Sequence, residues 1–172
     1  LPEKPPRGQH YENWFYADGR GDERNSLYAS NAGETHAAAQ TFHSCLPTAW
    51  HNSTWTADRA IEWVKKRGDR PFCAWVSIPD PHHPFDCPEP WSRLHHPEEI
   101  DLPQHRERDF DRRPWWHRAS VESEPIGSAD DVAVWKGYSR IAPQNDRQLR
   151  EIIANTYGMI SLIDHNVGRI LI

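Results

Sequence analysis

The sequence has little of what marks several classes of protein. Its 172 residues include three cysteines and one methionine, and the net charge at pH 7 is −5, from 20 basic and 25 acidic residues. No apolar run approaches the roughly 20 residues that cross a bilayer. An odd number of cysteines without CxxC spacing argues against a complete disulfide framework. The charge balance gives no reason to expect nucleic acid or an anionic membrane surface as a partner.

Proline, tryptophan and histidine are abundant instead, with 15, 9 and 11 residues. Tryptophan rings are hard to solvate in a disordered chain, so this composition indicates long ordered loops. The length suits one domain with its own core. Among the cysteines, Cys73 lies in an apolar run and is predicted to be a buried free thiol.

The coarse pattern is α/β. A short strand is predicted over residues 11–16, which are rich in aromatic side chains. A helix is predicted over residues 54–66, with Thr54 or Thr56 as its cap and Gly68 as its stop. It is followed by residues 72–78, a short apolar run bounded by prolines, which is typical of a buried strand. A helix followed by a strand is the building block of a layered α/β fold.

A long helix is predicted from Asp146 to the end of the sequence. Its apolar residues keep a helical period. They are Leu149, Ile152, Ile153, Tyr157, Ile160, Ile163, Val167 and Ile170.

Residues 79–88, named below the histidine segment, carry the clearest functional signal, because His82 and His83 stand side by side there. Ligands of open α/β sheets bind just beyond the carboxyl ends of strands, and this segment follows the predicted strand directly. Prolines on both sides lower the entropy cost of presenting the two rings. Asp80 and Asp86 are placed to orient an imidazole. A donating histidine suits an anionic substrate oxygen or a leaving group.

Two other interpretations stay open. His82 and His83 can make structural hydrogen bonds in a loop. They can also bind zinc with the aspartates, although ligands on one turn rarely complete a tetrahedral set. Other histidines are assigned structural or solvated roles, namely His95, His96 and His105. Asp164 and His165 are adjacent on a helix and point in different directions, so a cap or salt-bridge role is predicted for them.

Three stretches together resemble the sulfatases of the alkaline phosphatase superfamily. Residues 81–85 read PHHPF, residues 55–62 read WTADRAIE, and residues 157–171 read YGMISLIDHNVGRIL. The last is similar to the family form Tyr-x-Gly-Met-Ile-x-x-x-Asp-x-x-Val-Gly-x-Ile-Leu. The stretches occur in the family's order, and the resemblance covers roughly residues 50–100 and 146–172.

The resemblance implies part of an alkaline phosphatase-like sandwich, in which helices flank a mixed sheet and long loops connect them. It implies a sulfuric ester hydrolase of the arylsulfatase type, in which formylglycine and a divalent cation act on a small sulfate ester. The cation is expected to be calcium, or manganese or zinc in a phosphonate hydrolase. His82 matches the histidine of the family's Pro-His-x-Pro motif and is the predicted catalytic and sulfate-binding residue. His83 is the predicted substrate-binding neighbour, without a clear family role.

The other parts of the family's site have no match in this sequence. Cys45 begins a partial match to Cys-x-Pro-x-Arg, whose cysteine becomes formylglycine, but Ala49 replaces the arginine and cannot hold a sulfate. The family's metal-binding aspartates are not found, so no metal ligand is assigned. Residues 1–172 are therefore expected to be an internal portion of one catalytic domain, incomplete at both ends and inactive without the remainder of the parent chain.

Two alternative functions are kept. One is a phosphonate or phosphate ester hydrolase of the same superfamily, and the other is a non-catalytic binding or degenerate protein. In each case no nucleic acid and no membrane is expected as a partner, and the sequence assigns no compartment.

Overall fold

The computed structural model describes residues 10–17, 41–43, 46–104 and 145–172, together with 19–21, 23, 26–27 and 111–112. The helices and strands in these residues are α1 Tyr11–Ala17, β1 Thr41–His43, α2 Asn52–Lys66, β2 Phe85–Cys87 and α3 Asp146–Leu171. Short 3-10 turns lie at Thr48–Trp50, Trp91–Arg93 and Pro97–Glu99. The predictions for Cys45 and His105 fall outside the described residues. None of the described helices has the length and hydropathy needed to cross a membrane.

Residues 11–16 form a helix, so the predicted strand is wrong. Tyr11, Trp14 and Phe15 have the spacing of one helical face, and Phe15 is fully buried. Its ring packs edge-on against Trp50, with the ring centroids 5.6 Å apart. Tyr11 packs in the same way against Trp55 at 5.8 Å. Aromatic content alone favours a strand here. The spacing of the rings, however, determines which of them lie on one face, and that spacing is helical.

The predicted helix α2 is confirmed, but a different residue caps it. His51 occupies the N-cap position, and its side chain accepts a hydrogen bond from the Ser53 N–H. This bond satisfies one of the amide groups that the first turn leaves without a helical partner. Thr54 lies inside the first turn and is buried. The helix ends at Lys66, and Gly68 follows with φ 71°, which is the predicted stop.

The sheet seen in the described residues consists of β1 and β2, paired in parallel. Thr41 is the register partner of Phe85, and His43 that of Cys87. Parallel pairing is typical of α/β folds, in which a crossover connects the strands. The α/β pattern is therefore present, while the larger mixed sheet of the sandwich stays a prediction.

Residues 72–78 do not form the predicted buried strand. They lie in neither a helix nor a strand, and Trp75 is 94% exposed. Cys73 is exposed too, so its predicted burial is wrong. A strand is stable when a neighbouring strand satisfies its backbone groups, and no strand within the described ranges pairs with this run. The apolar side chains of the run consequently remain in contact with solvent.

Helix α3 is confirmed, and a capping box opens it. Asn145 accepts a hydrogen bond from the Gln148 N–H, and the Gln148 side chain accepts one from the Asn145 N–H. Not all of the apolar residues that keep the helical period are buried, since Tyr157, Ile160 and Val167 are 46%, 46% and 41% exposed.

The face of α3 that is buried combines apolar and amide side chains at spacings of three and four residues. Its members include Ile152, Asn155, Met159, Leu162 and Asn166. Asn155 donates to the Phe85 carbonyl oxygen at 2.5 Å, and Asn166 donates to the Thr54 hydroxyl at 3.5 Å. Asn155 and Asn166 can be buried because the side-chain amide of each donates a hydrogen bond to a polar partner. A pattern that treats asparagine as a surface residue places the face elsewhere.

Candidate functional site

One cavity of about 680 Å³ collects the residues that the sequence singles out. Asp80, His82, His83 and Asp86 of the histidine segment line it, and so does His51 at the N-terminus of α2. The predicted site residues therefore do come together, even though the predicted strand before them does not form. What holds the histidine segment in place is the beginning of α2.

His82 and His83 are both exposed. Their rings stack, with the centroids 4.1 Å apart and the planes 28° from parallel. The Nδ1 atom of His82 lies 2.6 Å from the carbonyl oxygen of His83. A hydrogen bond at this position requires the proton on Nδ1, which leaves Nε2 as the atom that accepts a proton, or donates one from the imidazolium.

His51 belongs to the site, although no sequence motif indicates it. The residue is 4% exposed. Because its Nδ1 accepts the Ser53 N–H at 3.3 Å, the neutral ring carries its proton on Nε2. That atom lies 3.1 Å from the carbonyl oxygen of Asp86 and donates to it. His51 directly precedes the first residue of α2, Asn52, but the predicted helix began only at residue 54, and histidine is not among the favoured N-caps.

Asp80 is held beside the same ring. Its Oδ2 accepts a hydrogen bond from the Ser53 hydroxyl and lies 3.5 Å from Nδ1 of His51. The carboxylate is 13% exposed, so the hydroxyl compensates part of the cost of burying its charge. The sequence predicts that Asp80 orients an imidazole. Among the described contacts, the imidazole beside it is that of His51.

Part of the cavity wall is aromatic. Tyr11 and Trp55 line it, and the Tyr11 hydroxyl donates to the Trp50 carbonyl oxygen at 2.5 Å, which fixes the ring. Aromatic surface with a few polar groups is typical of sites for small molecules. The rings offer packing surface, and the exposed histidines offer groups that donate and accept protons.

The described residues do not offer a metal site. No group of three or more His, Cys, Asp or Glu side chains among them is arranged to hold an ion. Both nitrogens of His51 are engaged in hydrogen bonds, and Oδ2 of Asp80 accepts one from the Ser53 hydroxyl. These residues do not fit the divalent cation that the resemblance implies, so no chemical step is assigned to one.

The other predicted histidines lie away from this cavity. His95 has the structural role predicted for it, since its Nε2 lies 3.3 Å from the Ser161 hydroxyl, and His96 is exposed. The ring of His165 packs on Trp91 with the centroids 5.0 Å apart. His165 and Asp164 line a separate surface cavity, and the cap or salt bridge predicted for them is not found among the described contacts.

Cys87 is buried directly after Asp86. Burial raises the pKa of its thiol to about 12, and the negative charges of Asp86 and Asp80 add to the rise. Such a thiol stays protonated at neutral pH and is a poor nucleophile. Cys87 is therefore part of the packing beneath the histidine segment.

Comparison with known proteins links the chain to ester hydrolases, although no protein-family model matches it. An uncharacterized sulfatase, YidJ of Escherichia coli strain K12, is 30% identical over 83 residues, which are 45% of this chain and 17% of that protein. An arylsulfatase of Clostridium perfringens is 28% identical over 123 residues, which are 71% of this chain and 22% of that protein. The chain thus spans only a minor part of the length of these relatives.

A solved structure of an ester hydrolase has a similar fold. The phosphonate monoester hydrolase of Agrobacterium radiobacter superposes with a TM-score of 0.64 and 22% identity, covering 96% of this chain and 32% of that one. At this identity the likeness concerns the fold. The resemblance of this chain to sulfatases is confirmed by the two relatives named as sulfatases, and the solved structure agrees with it in fold.

Proposed function

We propose that the protein hydrolyses sulfuric esters, and that the histidine segment forms one wall of the sulfate pocket. The observation that carries this proposal is the exposure of His82 and His83 on the wall of a cavity, within the stretch that resembles the sulfatases. Two relatives named as sulfatases support the reaction class. Residues 1–172 are then an internal portion of one catalytic domain, and the rest of the parent chain is their partner.

In this proposal His82 is the catalytic residue. Hydrolysis breaks the bond between sulfur and the ester oxygen, adds the elements of water, and releases an alcohol and sulfate. The Nδ1 atom of His82 contacts the His83 carbonyl oxygen, which leaves Nε2 available. This Nε2 binds a sulfate oxygen or gives a proton to the leaving oxygen. His83 stacks on His82 and contacts the substrate from the same wall. The aromatic wall accommodates the organic part of the ester.

The nucleophile and the divalent cation are proposed for the parent protein and not for the described residues. The proposed nucleophile is a formylglycine, and the proposed cation is calcium. A phosphonate or phosphate ester hydrolase is the second candidate, and the fold of the phosphonate monoester hydrolase favours it. Manganese or zinc is the cation proposed for that case. A sulfate ester and a phosphonate monoester both present tetrahedral oxyanions to the same histidine wall.

The test replaces His82 by alanine in the full-length protein. We expect His82→Ala to lower kcat/KM for an aryl sulfate by about 10²–10⁴-fold, the contribution typical of a positioned acid, with metal content unchanged. His96→Ala is the matched control, because His96 is exposed and lies outside the cavity. Equal activity of the two variants would remove His82 from the mechanism, and loss of metal would identify it as a ligand.

Two further measurements separate the alternatives. A full-length protein that prefers a phosphonate monoester over an aryl sulfate would favour the second candidate, and one that hydrolyses neither would favour a non-catalytic role. The chain of 172 residues by itself is expected to hydrolyse neither ester with any added metal. Measurable turnover by that chain would contradict its proposed dependence on the parent protein.

A further inference from the structure

We infer that His51 and Ser53 are positioning residues for His82, because they hold the histidine segment to the first turn of α2 on both sides of the exposed histidines. The catalytic consequence of this clamp rests on the proposed function. The clamp itself rests on contacts between residues 51–53 and residues 80–86, and it can be tested without any activity.

The first anchor lies before His82. The Ser53 hydroxyl donates to Oδ2 of Asp80, two residues ahead of His82 in the chain. Ser53 is fully buried and belongs to a helix, so its hydroxyl has a fixed position. A charged acceptor makes this hydrogen bond stronger than one between neutral groups. The hydrogen bond therefore fixes the position of Asp80, from which the chain continues to His82.

The second anchor lies after His83. The Nε2–H of His51 donates to the carbonyl oxygen of Asp86 at 3.1 Å, within β2. Rotation of the His51 ring is restricted because Nδ1 is occupied by the Ser53 N–H at 3.3 Å. One imidazole thus joins the cap of α2 to the strand that follows the histidines. This use of both nitrogens requires the ring to stay neutral with its proton on Nε2.

Between the anchors, His82 has few supports of its own. Its N–H donates to the Pro79 carbonyl oxygen at 3.2 Å, and its ring stacks on His83, which is also exposed. These supports, together with the contact of the His82 Nδ1 with the His83 carbonyl oxygen, belong to the histidine segment itself. The position of His82 relative to the rest of the protein is consequently set by the ends of that segment. A displacement of about 1 Å at a reacting group can cost about 100-fold in rate.

Substitutions at His51 separate the clamp from simple helix capping. Asparagine is one of the best N-caps, so His51→Asn keeps an acceptor for the Ser53 N–H. Its side chain is shorter than histidine's and gives up the bond to the Asp86 carbonyl. If His51 only caps α2, His51→Asn should leave the position of His82 unchanged. If His51 also holds the histidine segment, the same substitution should displace His82. At the other anchor, Ser53→Ala removes the hydroxyl and Ser53→Thr retains it as the matched control.

The experiment measures kcat, KM and thermal unfolding of the full-length variants with an aryl sulfate, and the imidazole NMR signals of His82 in the chain of 172 residues. We expect His51→Asn and Ser53→Ala to lower kcat by about 10-fold or more at nearly constant KM, and to shift the His82 signals. Ser53→Thr is expected to retain the wild-type kcat and the wild-type His82 signals. Wild-type kcat and unchanged His82 signals in His51→Asn would overturn the inference. If His82→Ala has no effect on turnover while the signals shift, the proposed function fails and the clamp stands.

Discussion

Gly158 of α3 approaches Cys87 of β2 so closely that no side chain fits between them. A Cβ atom on Gly158 would lie 2.7 Å from the Cys87 sulfur and 2.6 Å from the Trp91 carbonyl oxygen. The helix thus packs with its backbone against the end of the histidine segment and the turn that follows it. Because interiors are close-packed, this contact determines how deeply α3 can lie against β2.

The Gly158 contact predicts an unusual response to alanine. In a helix interior, Gly→Ala is normally stabilising by about 1 kcal/mol. At Gly158 we expect destabilisation by about 1–3 kcal/mol, since the new methyl group overpacks the contact with Trp91 and Cys87. Gly168 is the control on the same helix, because nothing lies within 4 Å of its Cβ position. Urea unfolding measures both variants, and a stabilised Gly158→Ala would contradict the contact.

The two described cysteines are predicted to differ in reactivity. Cys73 is exposed and Cys87 is buried, with its thiol pKa raised to about 12. At pH 8 iodoacetamide should label Cys73 within the folded chain and label Cys87 only after denaturation. Peptide mass spectrometry identifies the labelled residues. Equal labelling rates for the two would show that Cys87 is accessible.

The raised pKa of Cys87 also predicts a loss of stability at alkaline pH. The thiol of the unfolded chain loses its proton near its ordinary value of 9.0, while the folded chain keeps the proton until about pH 12. The folded state binds more protons in this window, so the free energy of unfolding falls as the pH rises from 9 towards 12. Denaturant unfolding of the wild type and Cys87→Ala across this range should show the smaller fall in the variant.

Two leucines on α3 test which face of the helix is buried. Leu162 is 0% exposed and Leu171 is 80% exposed. Leu162→Ala should cost about 2–5 kcal/mol of unfolding free energy, because it removes buried methyl groups and leaves a cavity. Leu171→Ala should stay within about 0.5 kcal/mol of the wild type. The reverse order in thermal or urea unfolding would show that α3 packs through the other face.

The exposed apolar run predicts self-association. Trp75 is 94% exposed in a run that pairs with no described strand, and such a run is a template for pairing with another chain. Trp75→Lys should reduce the increase of light scattering with protein concentration. Leu94→Lys is the control, because Leu94 is 52% exposed but lies outside the run. Similar scattering for the wild type and Trp75→Lys would remove residues 72–78 as the cause.

Local signals in the sequence were sufficient for the two long helices. Gly68 predicted the end of α2, and the helical period of the apolar residues after Asp146 predicted α3. The same signals were insufficient for residues 72–78 and for the buried face of α3. Whether an apolar run becomes a strand depends on a partner strand, and whether Asn155 is buried depends on the Phe85 carbonyl that it meets. Phe85 lies 70 residues before Asn155 in the chain, so no local signal reports this contact.

For the site, the sequence by itself determined that His82 and His83 stand together in a proline-bounded segment, because adjacent residues and proline geometry are local properties. It also determined the relationship to the sulfatases through three short motifs. Only the tertiary structure decided what supports the pair. His51 lies 35 residues before Asp86 and yet donates to its carbonyl oxygen, and Ser53 lies 27 residues before Asp80. Contacts of this kind form when a helix terminus and a loop share one buried space, which no periodicity in the chain reveals.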